Sequence, residues 1–511
     1  MQKIICIIVH TMKKTGHFVN GEIIHEDGKN IEIFNPSNGE IISSINCASK
    51  NIIEKTIISS QNAFNEWKLY SIAKRTEVLF EYKVLLEKNK DKLAKIIGED
   101  LGKVYDDALG EVRRGIENIE YACGIGEVIK GEYNKNISSD VDSWSEFSPL
   151  GVVLGITPFN FPAMVPLWMF PLALATGNSF ILKPSEKDPL GSMFITELFN
   201  ETKAPKGLLN LVNGDREVVT SLINDQRIKA VSFVGSTPVA KNVYELSASS
   251  GKRCQALGGA KNHALILSDA NIDFTTDQLI SAAFGSSGQR CMALSVAVVS
   301  SDIKENFLKN LHQKVSKLKF GFEDLNSNSF GPLVSKEHLQ SVENNIKLAE
   351  GEGAKIIIDG RDLIKRKNSN GGYFLGPTIL DQVNTKMQSY KNEIFGPVLQ
   401  VIEMKNISEG IKIINDNEFG NGCCIFTSSG HNARLFADKA EIGMVGINIP
   451  LPVPSAYHSF GGWRNSIFGD LNIYGPDGVR FYTQRKTITQ RWPSSEKSSG
   501  IDLSMPNNLK Q

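Results

Sequence analysis

The stretch GSSGQRCMALS, Gly285 to Ser295, sets one cysteine behind small and polar residues and ahead of the apolar VAVV. Small neighbours leave room for a carbonyl compound to approach, and a thiolate there would be a strong nucleophile. A free cysteine also packs as a small hydrophobe, which is the expectation for Cys123, Cys254, Cys423 and Cys424. On the residues alone both readings of Cys291 stay open. Two further loops suggest a dinucleotide. In FILKPSEKDP an apolar run ends at Lys183 and Glu186, where an ammonium can reach ribose oxygens and a carboxylate can accept from a ribose 2′-OH. In FVGSTPVAK, Gly235 and Ser236 stand between a strand and a helix, so backbone N–H groups and the helix dipole can face a pyrophosphate. A surface ion pair for Lys183 and an ordinary N-cap for Ser236 are the plain alternatives. A G-x-G-x-x-G fingerprint is missing, since GIGEVIKG at Gly124 has the wrong third spacing.

These loops need a scaffold that presents strand ends. Residues 51–130 carry apolar positions at helical spacing and form a helical block. Before it, FVNGEIIHEDGKNIEIFNPSNGE reads as paired strands with Asn-Gly turns. After it, GVVLGITPFNFP opens a series of apolar strands, SFILKP, LLNLVNG, AVSFVGS and HALILS, separated by helix-length segments. Such alternation predicts parallel strands with crossovers on both faces, a doubly wound dinucleotide-type domain. KIIIDG, YFLGPTIL, LQVIEM and GNGCCIFTS form a second α/β series after Cys291.

Composition limits the partners. With 511 residues and a formal net charge of +0, neither nucleic acid nor a membrane surface is an expected partner, and small-molecule chemistry is. The apolar IICIIV near the start is too short to span a bilayer, and Met12 is a candidate alternative initiator. The seven cysteines include no C-x-x-C pair, which fits reduced thiols in a cytoplasm-like compartment, or a mitochondrial matrix in a eukaryote. No metal site is expected. The end of the chain, Ser/Pro/Asn-rich, reads as a loose tail.

ITPFNFP, LKPSEKDP, FVGSTPVA, GQRCMALS and NEIFGPVLQV occur in the order and approximate spacing of the NAD(P)-dependent aldehyde dehydrogenase superfamily, which the chain resembles from about Phe18 to about Trp492. QALGGAKNHALI, GQRCMALS and FGGWRNSIFGDLNIYGPDGVRFYTQRKTITQRW look like its methylmalonate-semialdehyde branch. The resemblance implies an α/β fold: a doubly wound NAD-binding domain, an α/β catalytic domain and a small β oligomerisation flap. Expected boundaries are 18–130 for the helical and strand part of the NAD-binding domain, 131–148 for the flap and 149–255 for its Rossmann-like part. The catalytic domain follows over 256–455, a return to the NAD-binding domain with an oligomerisation strand over 456–495, and the tail over 496–511.

The resemblance also assigns roles. Cys291 is the nucleophile, and Asn160 with the Cys291 N–H forms an oxyanion hole. Phe159, Lys183, Glu186, Gly235, Ser236, Glu393 and Phe395 bind NAD, and Arg114 and Arg290 grip a substrate carboxylate through paired hydrogen bonds. Arg113 sits about 100° around the helix from Arg114, so only one of the two can face a pocket. Hydrolytic members place Glu at the start of E-L-G-G as the base that activates water; here QALGGAK has Ala256. Without that base the acyl group is expected to pass to coenzyme A as co-substrate, giving acetyl-CoA or propionyl-CoA from malonate or methylmalonate semialdehyde with loss of CO2. Gln255 could still orient water, so hydrolysis to a free acid is the alternative. The flap sequence and VRFYTQRKTITQRW could pair across copies in a dimer or tetramer.

Overall fold

The computed structural model describes residues 13–320, 329–361, 371–492 and 503. IICIIV, Met12 and the tail expected from 496, Leu503 excepted, lie outside the described residues. The larger sheet runs in the order Ile467–Phe468, Arg253–Leu257, Ile228–Val234, Val152–Ile156, Ser179–Lys183, Leu209–Leu211, His17–Val19, Glu22–Ile24. Its five middle strands are parallel and its outer pairings antiparallel. Along the chain, the strands after Val152–Ile156 are added first on one side and then on the other. The order therefore reverses between Val152–Ile156 and Ile228–Val234, and a crevice opens beyond the carboxyl ends of these two strands.

The residues explain the layering. Val152–Ile156 and Ser179–Lys183 are buried along their whole length, as strands covered by helices on both faces must be. Gly155 is required by close approach, because a Cβ there would stand 2.3 Å from the Phe180 ring. The helix Met164–Ala175, MVPLWMFPLALA, is apolar all round and every residue is buried. It packs against the helix Tyr105–Cys123 from the N-terminal helical block.

A second sheet has the order Lys355–Ile358, Thr378–Asp381, Val398–Met404, Leu294–Ser300, Asn262–Ile266, Gly422–Phe426, Met444–Ile447, parallel except at its first pairing. Here one expectation is corrected. HALILS, which strand–helix alternation adds to the dinucleotide series although it lies within 256–455, is an inner strand of this second sheet, paired on both sides with its strands. The fifth parallel strand of the first sheet is instead Arg253–Leu257, which spans the expected boundary between 255 and 256. Both segments are short apolar runs, and periodicity does not say which sheet a buried strand joins. Tyr133–Ser138, Val141–Pro149 and Thr483–Arg491 form a separate antiparallel ribbon. Among the described residues no helix is long and apolar enough to cross a membrane.

Asn178 ties the crevice scaffold together. Its Oδ1 accepts from the N–H groups of Leu150 (2.7 Å) and Gly151 (3.0 Å), and its Nδ2 donates to Ala173 O, Thr176 Oγ1 and Tyr482 O at 3.1, 2.9 and 2.9 Å. One fully buried amide so joins a strand start, a helix end and the returning C-terminal segment. Asn178→Ala strands several of these groups without partners and is expected to lower stability by about 3 kcal/mol, read as an earlier urea-unfolding midpoint with unchanged cooperativity.

Candidate active site

A cleft of about 860 Å³ occupies the crevice where the strand order reverses. Phe159, Asn160, Lys183, Glu186, Gly235, Ser236, Cys291, Glu393 and Phe395 all line it, although they come from segments up to hundreds of residues apart. Its size suits a dinucleotide-sized organic ligand. Lys183 is buried at its strand end and holds Glu186 at 2.9 Å. Burial pushes the Glu186 carboxyl up, but Lys183 outweighs it and leaves the group below its usual range. Ser236 is the N-cap of the helix Thr237–Ser249, and its side chain makes no capping bond. One expected donor is corrected: the Gly235 N–H is engaged with Leu257 O at 3.1 Å, so anion contacts at this turn fall to Ser236 and the first helical turn.

The nucleophile's loop is built from unusual backbone. Ser286 and Ser287 adopt left-handed φ of 53° and 54°, and Gly288 follows at 71°. A Cβ on Gly288 would stand 2.1 Å from Gly396 O, so only glycine lets this loop meet the segment that carries Glu393 and Phe395. Phe395 is itself left-handed at 55°. Strained residues held on both facing loops indicate a geometry that the surroundings impose.

Side-chain amides supply that constraint. Asn160 Nδ2 donates to Gln289 O at 2.9 Å, and Asn262 Nδ2 donates to Cys291 O (2.9 Å) and Ala293 O (3.0 Å). Asn421 Nδ2 reaches Cys291 O at 3.0 Å, and Gln289 Oε1 accepts from the Val334 N–H at 3.0 Å. Cys291 is partly exposed to the cleft. Burial of its sulfur, then the neighbouring Glu393, push the thiol up to about 12, against the backbone N–H groups of Cys291 and Met292 and the cation of Arg290. Cys423 and Cys424 lie buried in the strand Gly422–Phe426, and burial raises their thiols too.

Glu393 closes the inner end. Its Oε1 accepts the Ala260 N–H at 2.8 Å, and burial raises its carboxyl to about 7. Gly259 is needed beside it, since a Cβ there would be 2.2 Å from Glu393 Oε2. The Phe159 and Phe395 rings meet edge to face at 5.9 Å.

The two arginines stand outside the cleft lining. Asp107, Glu111 and Arg114 share one face of the helix Tyr105–Cys123. Asp107 holds Arg290 at 2.6 Å, and Arg290 lines a recess with Cys291 and Glu393. Arg114 is half-buried, donating to Glu117 at 2.6 Å and to Pro454 O at 2.7 Å, whereas Arg113 is exposed.

The position of Ala256 is a second correction. Strand alternation puts its side chain in the core cluster that contains Val152, Phe233 and Val243. Its neighbour Leu257 belongs to the opposite cluster, against which Cys291 packs. The apolar side chain that stands on the Cys291 side is therefore Leu257. Gln255 is fully buried, donates to Ser232 Oγ at 2.8 Å and faces Tyr482, so it is committed inside the sheet.

A sequence profile of the aldehyde dehydrogenase family matches residues 23–488. The chain is 49% identical to malonate-semialdehyde dehydrogenase of Pseudomonas aeruginosa over 491 residues, 96% of this chain and 99% of that one. It superposes on crystalline methylmalonate-semialdehyde dehydrogenase from Oceanimonas doudoroffii with a TM-score of 0.93 at 51% identity, covering 95% and 99% of the two chains. A Sinorhizobium meliloti protein provisionally given the latter activity and solved complexed with NAD aligns equally well, TM-score 0.93 at 42% identity over 95% and 99%.

The raised thiol gives a direct test. Below about 12 the Cys291 sulfur is mostly protonated in the ligand-free protein, so inactivation by iodoacetamide should accelerate about tenfold per pH unit from pH 7 to 9 without a plateau. Levelling off below pH 9 would mean a stabilised thiolate.

Proposed function

Since the chain belongs to the aldehyde dehydrogenase family, we propose that it oxidises malonate or methylmalonate semialdehyde with NAD and passes the acyl group to coenzyme A. The observation that carries this reading is the convergence of Cys291, Asn160 and Glu393 on one cleft, with Arg290 beside the thiol and an apolar Leu257 where hydrolytic relatives need a carboxylate. The donor set suits NAD: Lys183 and Glu186 for a ribose, the Ser236 helix turn for phosphates, and Glu393 with Phe395 at the inner end. When bound, NAD supplies the hydride acceptor.

The Cys291 thiol gives up its proton to solvent, and its sulfur adds to the aldehyde carbon as the carbonyl electron pair becomes an alkoxide. Asn160 has one amide hydrogen on Gln289 O and a second left for the alkoxide, with the Cys291 N–H beside it. Collapse of the alkoxide expels hydride and leaves a thioester on the sulfur. Arg290 and Arg114 hold the substrate carboxylate meanwhile. The bond between the α-carbon and the β-carboxylate breaks, CO2 leaves, the electron pair enters the thioester carbonyl as an enolate, and protonation at the α-carbon gives the acetyl or propionyl enzyme. A thiolate of coenzyme A then attacks this thioester and releases Cys291. Water is a poor competitor because no base faces the thioester from Leu257. Glu186 accepts a 2′-OH and repels a 2′-phosphate, which favours NAD over NADP. The Thr483–Arg491 strand and the ribbon it completes support assembly of copies into a dimer or tetramer.

Without coenzyme A, mixing with NAD and a semialdehyde should give a burst of about one NADH per active site followed by slow turnover. Adding coenzyme A should restore steady turnover with an acyl-CoA product, whereas fast thiol-free turnover to a free acid would establish hydrolysis instead. Leu257→Glu is the substitution expected to raise the CoA-independent rate; Ala256→Glu would only place a charge in the core.

Arg114→Leu and Arg290→Leu should each reduce kcat/KM for the carboxylated semialdehydes by on the order of a hundredfold and for propionaldehyde only slightly. Equal losses on both substrates would mean that the arginines serve the fold alone.

A further inference from the structure

Lys103 lies between the helices Ile72–Leu101 and Tyr105–Cys123, buried and outside the cleft. Its ammonium donates to Glu111 Oε2 at 2.6 Å and to the main-chain carbonyl of Asn160 at 2.7 Å, and stands 4.1 Å over the Phe161 ring. The ammonium thus has two oxygen acceptors and an aromatic face around it. The other oxygen of Glu111 accepts from the N–H groups of Ala163 (2.9 Å) and Met164 (3.1 Å), at the start of the helix Met164–Ala175. A single buried ion pair therefore grips both ends of the segment Asn160–Met164. The charge of Lys103 also acts on buried Asp188, opposing the rise that burial and Asp100 impose on its carboxyl.

We infer that Lys103 and Glu111 are positioning residues for the oxyanion donor, fixing the main chain at Asn160 so that its amide meets both Gln289 O and the developing alkoxide. A core needs no charges for stability alone, since a well-packed apolar pair of similar shape commonly does as well. What an apolar pair cannot do is fix carbonyl and N–H groups at both ends of one short segment. Asn160 is itself clamped from two sides, through its carbonyl by Lys103 and through its amide by Gln289 O. The inference rests on the proposed role of Asn160 in stabilising the alkoxide.

The test is a double-mutant cycle between Asn160→Ala and the charge-free pair Lys103→Met/Glu111→Gln, read as the rate constant of the NADH burst and the NAD Kd. In the wild-type background, removing the pair should slow the burst thirty- to a hundredfold while NAD affinity stays within twofold. In the Asn160→Ala background the same removal should slow it less than threefold. Lys103→Arg, which keeps the charge and the donors, should recover most of the burst rate; where the charge-free pair does not fold, this variant is carried through the same cycle and should show a smaller loss with the same dependence on Asn160. Equal slowing in both backgrounds, or an unchanged burst in a folded variant, overturns the inference. An Asn160→Ala protein with a full burst rate would instead overturn the role assigned to Asn160.

Discussion

The carbonyl oxygens of Gln289, Cys291 and Ala293 each accept a hydrogen bond from a side-chain amide, from Asn160, from Asn262 and Asn421, and from Asn262. Between the short turn Gly285–Gly288 and the strand Leu294–Ser300 the chain has no helix or strand to satisfy these groups. An unpaired carbonyl in this interior would be costly. The three asparagines come from the crevice of the first sheet, from an inner strand of the second and from the residue just before the strand Gly422–Phe426. The nucleophile is thus suspended between two sheets. Its position is fixed only when both are assembled, which also accounts for the left-handed serines that the loop tolerates.

Burial has an electrostatic consequence for the same loop. Glu393 is raised to about 7 and Lys261 lowered to about 7, each chiefly by burial, and the Cys291 thiol is pushed up to about 12. Near neutral pH Glu393 and Lys261 are therefore both close to their midpoints, and the thiol is protonated. Two ion pairs flank this centre, Arg290–Asp107 beside the thiol and Lys103–Glu111 behind Asn160. Charge then develops at the centre with the reactants, in surroundings already oriented to receive it.

What was legible in the sequence was local. Strand-end loops such as LKPSEKDP and FVGSTPVA announce themselves because chain direction, glycine and helix start are all written within a few residues. Alternation alone groups HALILS with the dinucleotide strands, because strand partners are chosen across long sequence distances that periodicity does not encode. The motif match points to Ala256 where the structure presents Leu257 for a related reason: with side chains alternating between faces, a shift of one residue inverts which side a strand position serves. Asn262 and Asn421 carry no local signal, each being one asparagine near a strand, and their roles depend on a carbonyl 29 and 130 residues away. Lys103 and Glu111 are eight residues apart, beyond the spacing of a helical ion pair, and neither their contact nor their shared target at 160–164 carries a local signal.

The carboxylate pocket shows how placement separates two arginines that the sequence treats alike. Among the described residues, Asp107 engages one N–H of Arg290, and the absence of a side chain at Gly285 leaves room beside Nη1, where a Cβ would be 2.7 Å away. A planar guanidinium held along one edge can still offer another to a second carboxylate. Asp107 remains ionised, for although burial raises its carboxyl, Arg290 and Lys103 bring it below the usual range. Its charge keeps Arg290 from being an open cation that any passing anion could occupy. Arg114 is more committed, with both terminal nitrogens engaged by Glu117 and Pro454 O. Arg290 therefore offers the freer edge for a paired grip on a carboxylate next to Cys291, and Arg114 adds the second cation while it holds the segment at Pro454, to which Tyr474 also donates at 3.0 Å.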